Sequence, residues 1–185
     1  MAVFSLFAEL GWDHIREGYD HLLFLLALVV RVQQWKKLLG IVTAFTLTHT
    51  IAMLGVALNL VSVSPAVVEA AIAFSIFFSA MQNVLSDEPR YKWLIAGAFG
   101  FVHGAGFSSH LVAMLREMNA GTELAAALTG FLAGLEAGQL IFVTLVALLA
   151  YVLRFWSRVD AAKMELSRAI AAIGLYMCII RIFGA

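Results

Sequence analysis

Residues 124–156 read LAAALTGFLAGLEAGQLIFVTLVALLAYVLRFW, and Glu136 is the one charged residue before Arg154. A helix at the surface of a soluble domain carries an apolar stripe and a polar face. This run is apolar all round and longer than the roughly 20 residues that cross a hydrocarbon core. It lacks the strict alternation of a barrel strand, and helices and closed barrels are the two architectures that satisfy every backbone group in lipid. Further runs of the same kind cover 12–32, 38–58, 64–85, 93–115 and 166–183. The pattern predicts an all-α integral membrane protein, a single domain over 1–185, built as a bundle of about six transmembrane helices. Gly130, Gly134 and Gly138 permit either a steep tilt or a partly unwound start of the fifth helix.

Composition agrees. Hydrophobic residues make up 63% of the chain and charged residues 13%, with mean hydropathy +0.94, against about 45–50% and about 25% in soluble domains. Net charge is zero and no basic tract exists, which excludes an electrostatic footprint for nucleic acid. The single cysteine, Cys178, excludes a disulfide framework and a thiolate metal cluster. The opening MAVFSLFAELGWDH lacks a basic n-region and carries acids where a cleavage region would lie. It reads as an interfacial lead-in, or what is left of a longer precursor.

Local punctuation marks the ends. Ser64 and Pro65 offer a capping hydroxyl and a first-turn proline. Asp87, Glu88, Pro89 and Arg90 break the chain after the third run, and Asn119, Ala120 and Gly121 form a turn after the fourth. Trp12, Trp35, Trp93 and Trp156 fall near proposed ends, as in an aromatic belt. Arg31, Lys36, Lys37, Arg90, Lys92, Arg154, Arg158, Lys163 and Arg168 follow the odd runs, leaving Arg16, Arg116 and Arg181 on the other side. The positive-inside rule then puts both termini on the exterior or periplasmic side.

Ionisable groups inside a bilayer are expensive and point to a functional site with a nearby partner. Asp20 and His21 lie in the first run, His49 in the second, Glu69 in the third, His103 in the fourth and Glu136 in the fifth. At about 1.5 Å per residue, they share the outer half of the membrane. Imidazole and carboxylate together suit a divalent transition metal such as Ni, Co or Zn. His14 and His21 are seven residues apart, roughly 10 Å along a continuous helix, so both cannot easily reach one ion. His14 and His110 therefore read as access groups near the interface. Asp20 projects away from His21 and reads as an orienting partner for another imidazole. Taken singly, each has a plain alternative: His49 as a hydrogen-bonded core residue, Glu69 as an acid near a helix start, Glu136 as a partner of Gln139. The glycines of the fourth run and threonines of the second read as packing, and Met53 as core filler.

The stretch HIREGYDHLLFLLAL, with His14, Asp20 and His21 in the pattern H-x5-D-H, resembles the first-helix signature of the HupE/UreJ family of bacterial membrane proteins. FTLTHTIAML around His49, SPAVVEAAIAFSIFFSAMQNV around Glu69, FGFVHGAGF around His103 and LAGLEAGQL around Glu136 resemble its later blocks, in the same order. The resemblance implies a nickel or cobalt permease of the bacterial inner membrane, with His14, Asp20, His21, Glu69 and His103 at metal positions. Where the family's nickel-linked form has an acid soon after the His-Gly pair, Phe107, Ser108, Ser109 and His110 follow here, which implies a divergent branch.

Two functions compete at this stage. A permease carries the ion inward past His21, His49, His103 and the carboxylates. Its polar path toward the cytoplasm looks thin, with Thr43, Ser79, Gln82 and Asn83 alone. An intramembrane zinc hydrolase uses the same cluster to activate water, with Glu69, Glu136 or Asp20 as general base. A sensor or assembly subunit with a structural metal is a third possibility. The expected partners are the metal ion and the lipid bilayer; association into a homo-oligomer stays open.

Overall fold

The computed structural model describes the backbone of residues 2–32, 34–58, 60–86, 91–117 and 123–184, with side chains for these except 57 and 107–117. The predicted breaks at Asp87–Arg90 and Asn119–Gly121 lie outside the described residues. Among the described residues the chain forms α1 (Ala2–Glu17), α2 (Tyr19–Val29), α3 (Trp35–Ala57), α4 (Pro65–Leu85), α5 (Lys92–Glu117), α6 (Leu124–Leu153) and α7 (Val159–Phe183). Four helices, α3, α4, α6 and α7, are long and apolar enough to cross a membrane, and α2 is a shorter apolar helix. The all-helical membrane architecture is as predicted, and the second to fifth runs match their helices to within a few residues; α7 starts earlier, at Val159.

The first run departs from prediction. Its helix begins at Ala2, is buried along Phe7, Gly11 and Ile15, and breaks at Gly18. The opening residues are thus part of the packed bundle, and α1 and α2 are the two halves of one broken helix. Trp12 sits inside α1, whereas Trp35, Trp93 and Trp156 are exposed near helix ends. Pro65 occupies the first turn of α4 as expected, but the Ser64 hydroxyl makes no capping bond. Its carbonyl instead accepts from Val68 N–H at 3.1 Å.

Close helix packing replaces the hydrophobic drive that lipid does not supply, and small residues permit it. A Cβ at Gly130 or Gly134 of α6 would fall on the Phe4 or Ala8 carbonyl oxygen of α1, and Gly138 meets Ile15. These contacts ascend together, so α1 and α6 run parallel. The glycines serve this contact, and α6 is one continuous helix, neither unwound at its start nor broken. Gly100 and Gly104 of α5 lie in the same way against the backbone of Phe45 and His49 in α3. The third pair, α4 and α7, is antiparallel: Gly174 abuts Phe77, and Arg181 reaches the Glu69 carbonyl.

At one end of the bundle, called here the upper end, α1, α4 and α6 start and α3, α5 and α7 finish. Phe7, Ile15, Met53, Phe131 and Leu135 form the upper apolar core, and Met53 is core, as expected. Phe24, Leu28, Phe45, Ile76, Val143 and Ile170 belong to the lower one. The Thr46 hydroxyl donates to Gln139 Oε1 at 2.7 Å and ties α3 to α6 between the two cores.

Candidate metal centre

The site begins with a missing side chain. Gly18 (φ −78°, ψ 80°) leaves helical geometry between α1 and α2, and a Cβ there would stand 2.6 Å from the His14 carbonyl oxygen and 2.9 Å from His21 Nδ1. The break folds the two histidines toward each other, with ring centroids 4.5 Å apart. The sequence-based separation of roughly 10 Å assumed an unbroken helix and is corrected here, and with it the spacing argument that set His14 apart as an access group, although the resemblance had implied a metal position for it.

His49 comes from α3, its ring 6.0 Å from His14 and 5.9 Å from His21. One nitrogen from each of His14, His21 and His49 lies within 4.8 Å of the other two. His21 and His49 are buried, at 6% and 0% exposure. His21 Nε2 and both ring nitrogens of His49 have no hydrogen-bond partner among the described residues. A buried polar atom left unsatisfied costs about 1–3 kcal/mol, and here several converge on one point.

His103 of α5 stacks edge-on against His21 at 4.7 Å. Its Nε2 lies 2.9 Å from Ser75 Oγ, and the Ser75 hydroxyl donates to Ile72 O at 2.6 Å. With that proton committed, His103 Nε2–H is the donor to Ser75, and Nδ1, which has no partner among the described residues, carries the lone pair. Orienting bonds of this type set which nitrogen of an imidazole is free to bind. Phe131 stands 5.8 Å from His14, while Phe24 and Phe45 lie against His103 at 4.9 and 5.5 Å. The polar group is thus enclosed by aromatic walls.

A family model described as HupE / UreJ protein matches residues 1–183. The chain belongs to the HupE/UreJ family. No curated protein and no solved structure matches it.

In this HupE/UreJ chain the residues singled out from sequence divide into two sets. His14, His21 and His49 come together, with His103 beside them. The acids do not join them, and the three-donor group holds no carboxylate among the described residues. Asp20, read as an orienting partner for an imidazole, instead accepts from Arg181 Nη2 at 2.7 Å, both side chains about three-quarters buried. The Glu69 side chain is exposed, and its backbone carbonyl accepts from Arg181 Nη1 at 3.0 Å. Glu136 is exposed on α6, and Gln139, its supposed partner, bonds to Thr46. The His110, Ser108 and Ser109 side chains lie outside the described residues. Two participants were not foreseen: Ser75, which orients His103, and Arg181, which is 161 residues from Asp20 in sequence.

Proposed function

We propose that this HupE/UreJ protein is a permease for a divalent transition-metal cation of the nickel or cobalt class. The cation is taken from the outer side at His14, His21 and His49 and released on the inner side. One observation carries the reading: three imidazole donors from α1, α2 and α3 converge within 4.8 Å. Nitrogen donors without thiolate suit Ni, Co and Zn. Donors on a tetrahedral ion at ordinary bond lengths stand roughly 3.4 Å apart, so a modest closing of the side chains fits the group to an ion. A bound cation also compensates His21 Nε2 and the ring nitrogens of His49, which have no hydrogen-bond partner among the described residues. The Lys and Arg distribution supports an outward-facing upper end.

The hydrolase reading needs a carboxylate within hydrogen-bond reach of a metal-bound water. Asp20 is engaged by Arg181, and Glu69 and Glu136 are exposed, so none of the three acids joins the histidine group among the described residues.

The test is Ni2+ binding to the purified protein by calorimetry, followed by Ni2+ uptake into liposomes. His14→Ala, His21→Ala and His49→Ala each weaken binding and abolish uptake. Retention of full affinity by all three variants would place the centre elsewhere, and a tightly held zinc without any uptake would overturn the permease.

A further inference from the structure

Below the histidines three phenylalanine rings pack together. Phe24, Phe45 and Phe99 stand one helical turn beneath His21, His49 and His103, with Phe24 5.5 Å from Phe45 and 5.9 Å from Phe99. An apolar constriction of this kind sheds water and stops an ion. A cation leaving the histidines for the inner side therefore needs a route around the phenylalanine layer.

Helix α4 passes beside that layer with polar residues on its buried face. Ser75, Ser79 and Asn83 recur every fourth residue, at 0%, 2% and 0% exposure, and span about 12 Å along the axis. The upper member is bonded to His103. The lower member is held between α2 and α5: Asn83 Nδ2 donates to Ala27 O at 2.6 Å, and Asn83 Oδ1 accepts from Lys92 Nζ at 2.9 Å. The buried Lys92 ammonium also donates to Leu28 O at 2.7 Å, and Arg31 donates to Asn83 O at 2.6 Å. Between the two ends, Ser79 Oγ is buried with no hydrogen-bond partner among the described residues. Native structures seldom leave such a hydroxyl unsatisfied without a role for it, and a helix packed only for stability gains nothing from one.

Resting on the permease reading above, we infer that Ser75, Ser79 and Asn83 line the inner half of the cation's path past the phenylalanine layer, and that Lys92 closes its inner mouth. Hydroxyl and amide oxygens, with water, replace part of an ion's hydration in such a path. Of the two oxygens that Lys92 now occupies, Leu28 O belongs to the C-terminal turn of α2, where the helix dipole concentrates negative charge. An ammonium seated there fills the exit and repels a divalent cation. Release follows when Lys92 withdraws and leaves the Leu28 and Asn83 oxygens to the ion.

The experiment uses the full chain carrying Cys178→Ser, reconstituted in liposomes with Ni2+ as probe. Ser79→Leu keeps Ni2+ binding at the histidines, and that binding also reports correct folding, while uptake falls about tenfold or more because the path is blocked. In a second arm, Ser79→Cys reacts with a membrane-impermeant, positively charged methanethiosulfonate applied from the inner side, and Lys92→Ala speeds the reaction. Ala80→Cys, next along α4 and buried in the apolar core, stays inert. Uptake by Ser79→Leu at the parent rate, or a Ser79→Cys thiol that is inert both with and without Lys92→Ala, overturns the path. Ni2+ binding without uptake by the parent protein overturns the permease itself and removes the cargo for which the path is drawn.

Discussion

Gly18 acts through the Cβ it lacks, because any side chain there collides with the His14 carbonyl and the His21 ring. Gly18→Ala also adds helix propensity, by about 1 kcal/mol, and so favours one continuous helix in which His14 and His21 stand roughly 10 Å apart. The expected outcome is Ni2+ affinity lower by about 10–100-fold, the range seen when the groups that orient ligands are disturbed, with no loss of thermal stability. Calorimetric titration beside a melting curve checks this, and unchanged affinity would show that His14 is not needed at the centre. The same residue marks the limit of sequence reading at this scale. His21, His49 and His103 were legible because an imidazole in lipid demands a reason. His14 was misplaced because the seven-residue spacing was converted to distance on an intact helix, and one glycine carries no signal that distinguishes a break from a packing contact. Asp20 was expected beside an imidazole and is instead paired with Arg181, a partner the sequence could not supply, since nothing local joins two residues at opposite ends of the chain.

The pairing of α1 with α6 decides whether His14 reaches the other histidines at all. Gly134 lies under the Ala8 backbone, with no room for even a methyl group, whereas Ala133 beside it is exposed. Gly134→Leu is expected to push α1 away, costing about 1–3 kcal/mol or more from overpacking and detaching His14. Ala133→Leu should stay within about 0.5 kcal/mol. Thermal unfolding of both variants in detergent, each with and without Ni2+, separates the effects: equal melting temperatures would mean that the glycine ladder does not hold α1 in place. Element boundaries from α3 to α6 were readable because lipid demands long apolar helices and short polar breaks mark their ends. The role of α1 was hidden, since LFAELGWDH carries acids and reads as interfacial when its partner, the small-residue face of α6, is unknown. In α4 the Ser75, Ser79 and Asn83 spacing was present in the sequence, but burial tells it apart from a set of isolated polar residues.

At the scale of the whole molecule, taking the broken helix α1–α2 as one crossing and α3 to α7 as one each gives an even total, and the start of α1 and the end of α7 are then expected on one side. The placement of cations bears on which side that is, and the tryptophans mark the depth of the headgroups. Arg31, Lys36, Lys37, Lys92, Arg154, Arg158, Lys163 and Arg168 all lie near the lower end. Trp35, Trp93 and Trp156 are exposed there, at the depth where indole rings prefer the headgroups. Arg31 and Lys92 are bonded to carbonyls near the lower ends of α4 and α2, so that end holds cations by structure as well as by composition. Cytoplasmic loops collect Lys and Arg, and the lower end should therefore face the cytoplasm, with the histidines opening to the exterior. A phosphatase that is active only outside the cell, fused after Gly184, is expected to be active, and a fluorescent protein that folds only in the cytoplasm is expected to stay dark at that position. Insertion after Ser86, at the lower end of α4, should give the reverse pattern. A fluorescent Gly184 fusion with an inactive phosphatase would invert the molecule, turn the histidine centre toward the cytoplasm and make export the direction that the site serves.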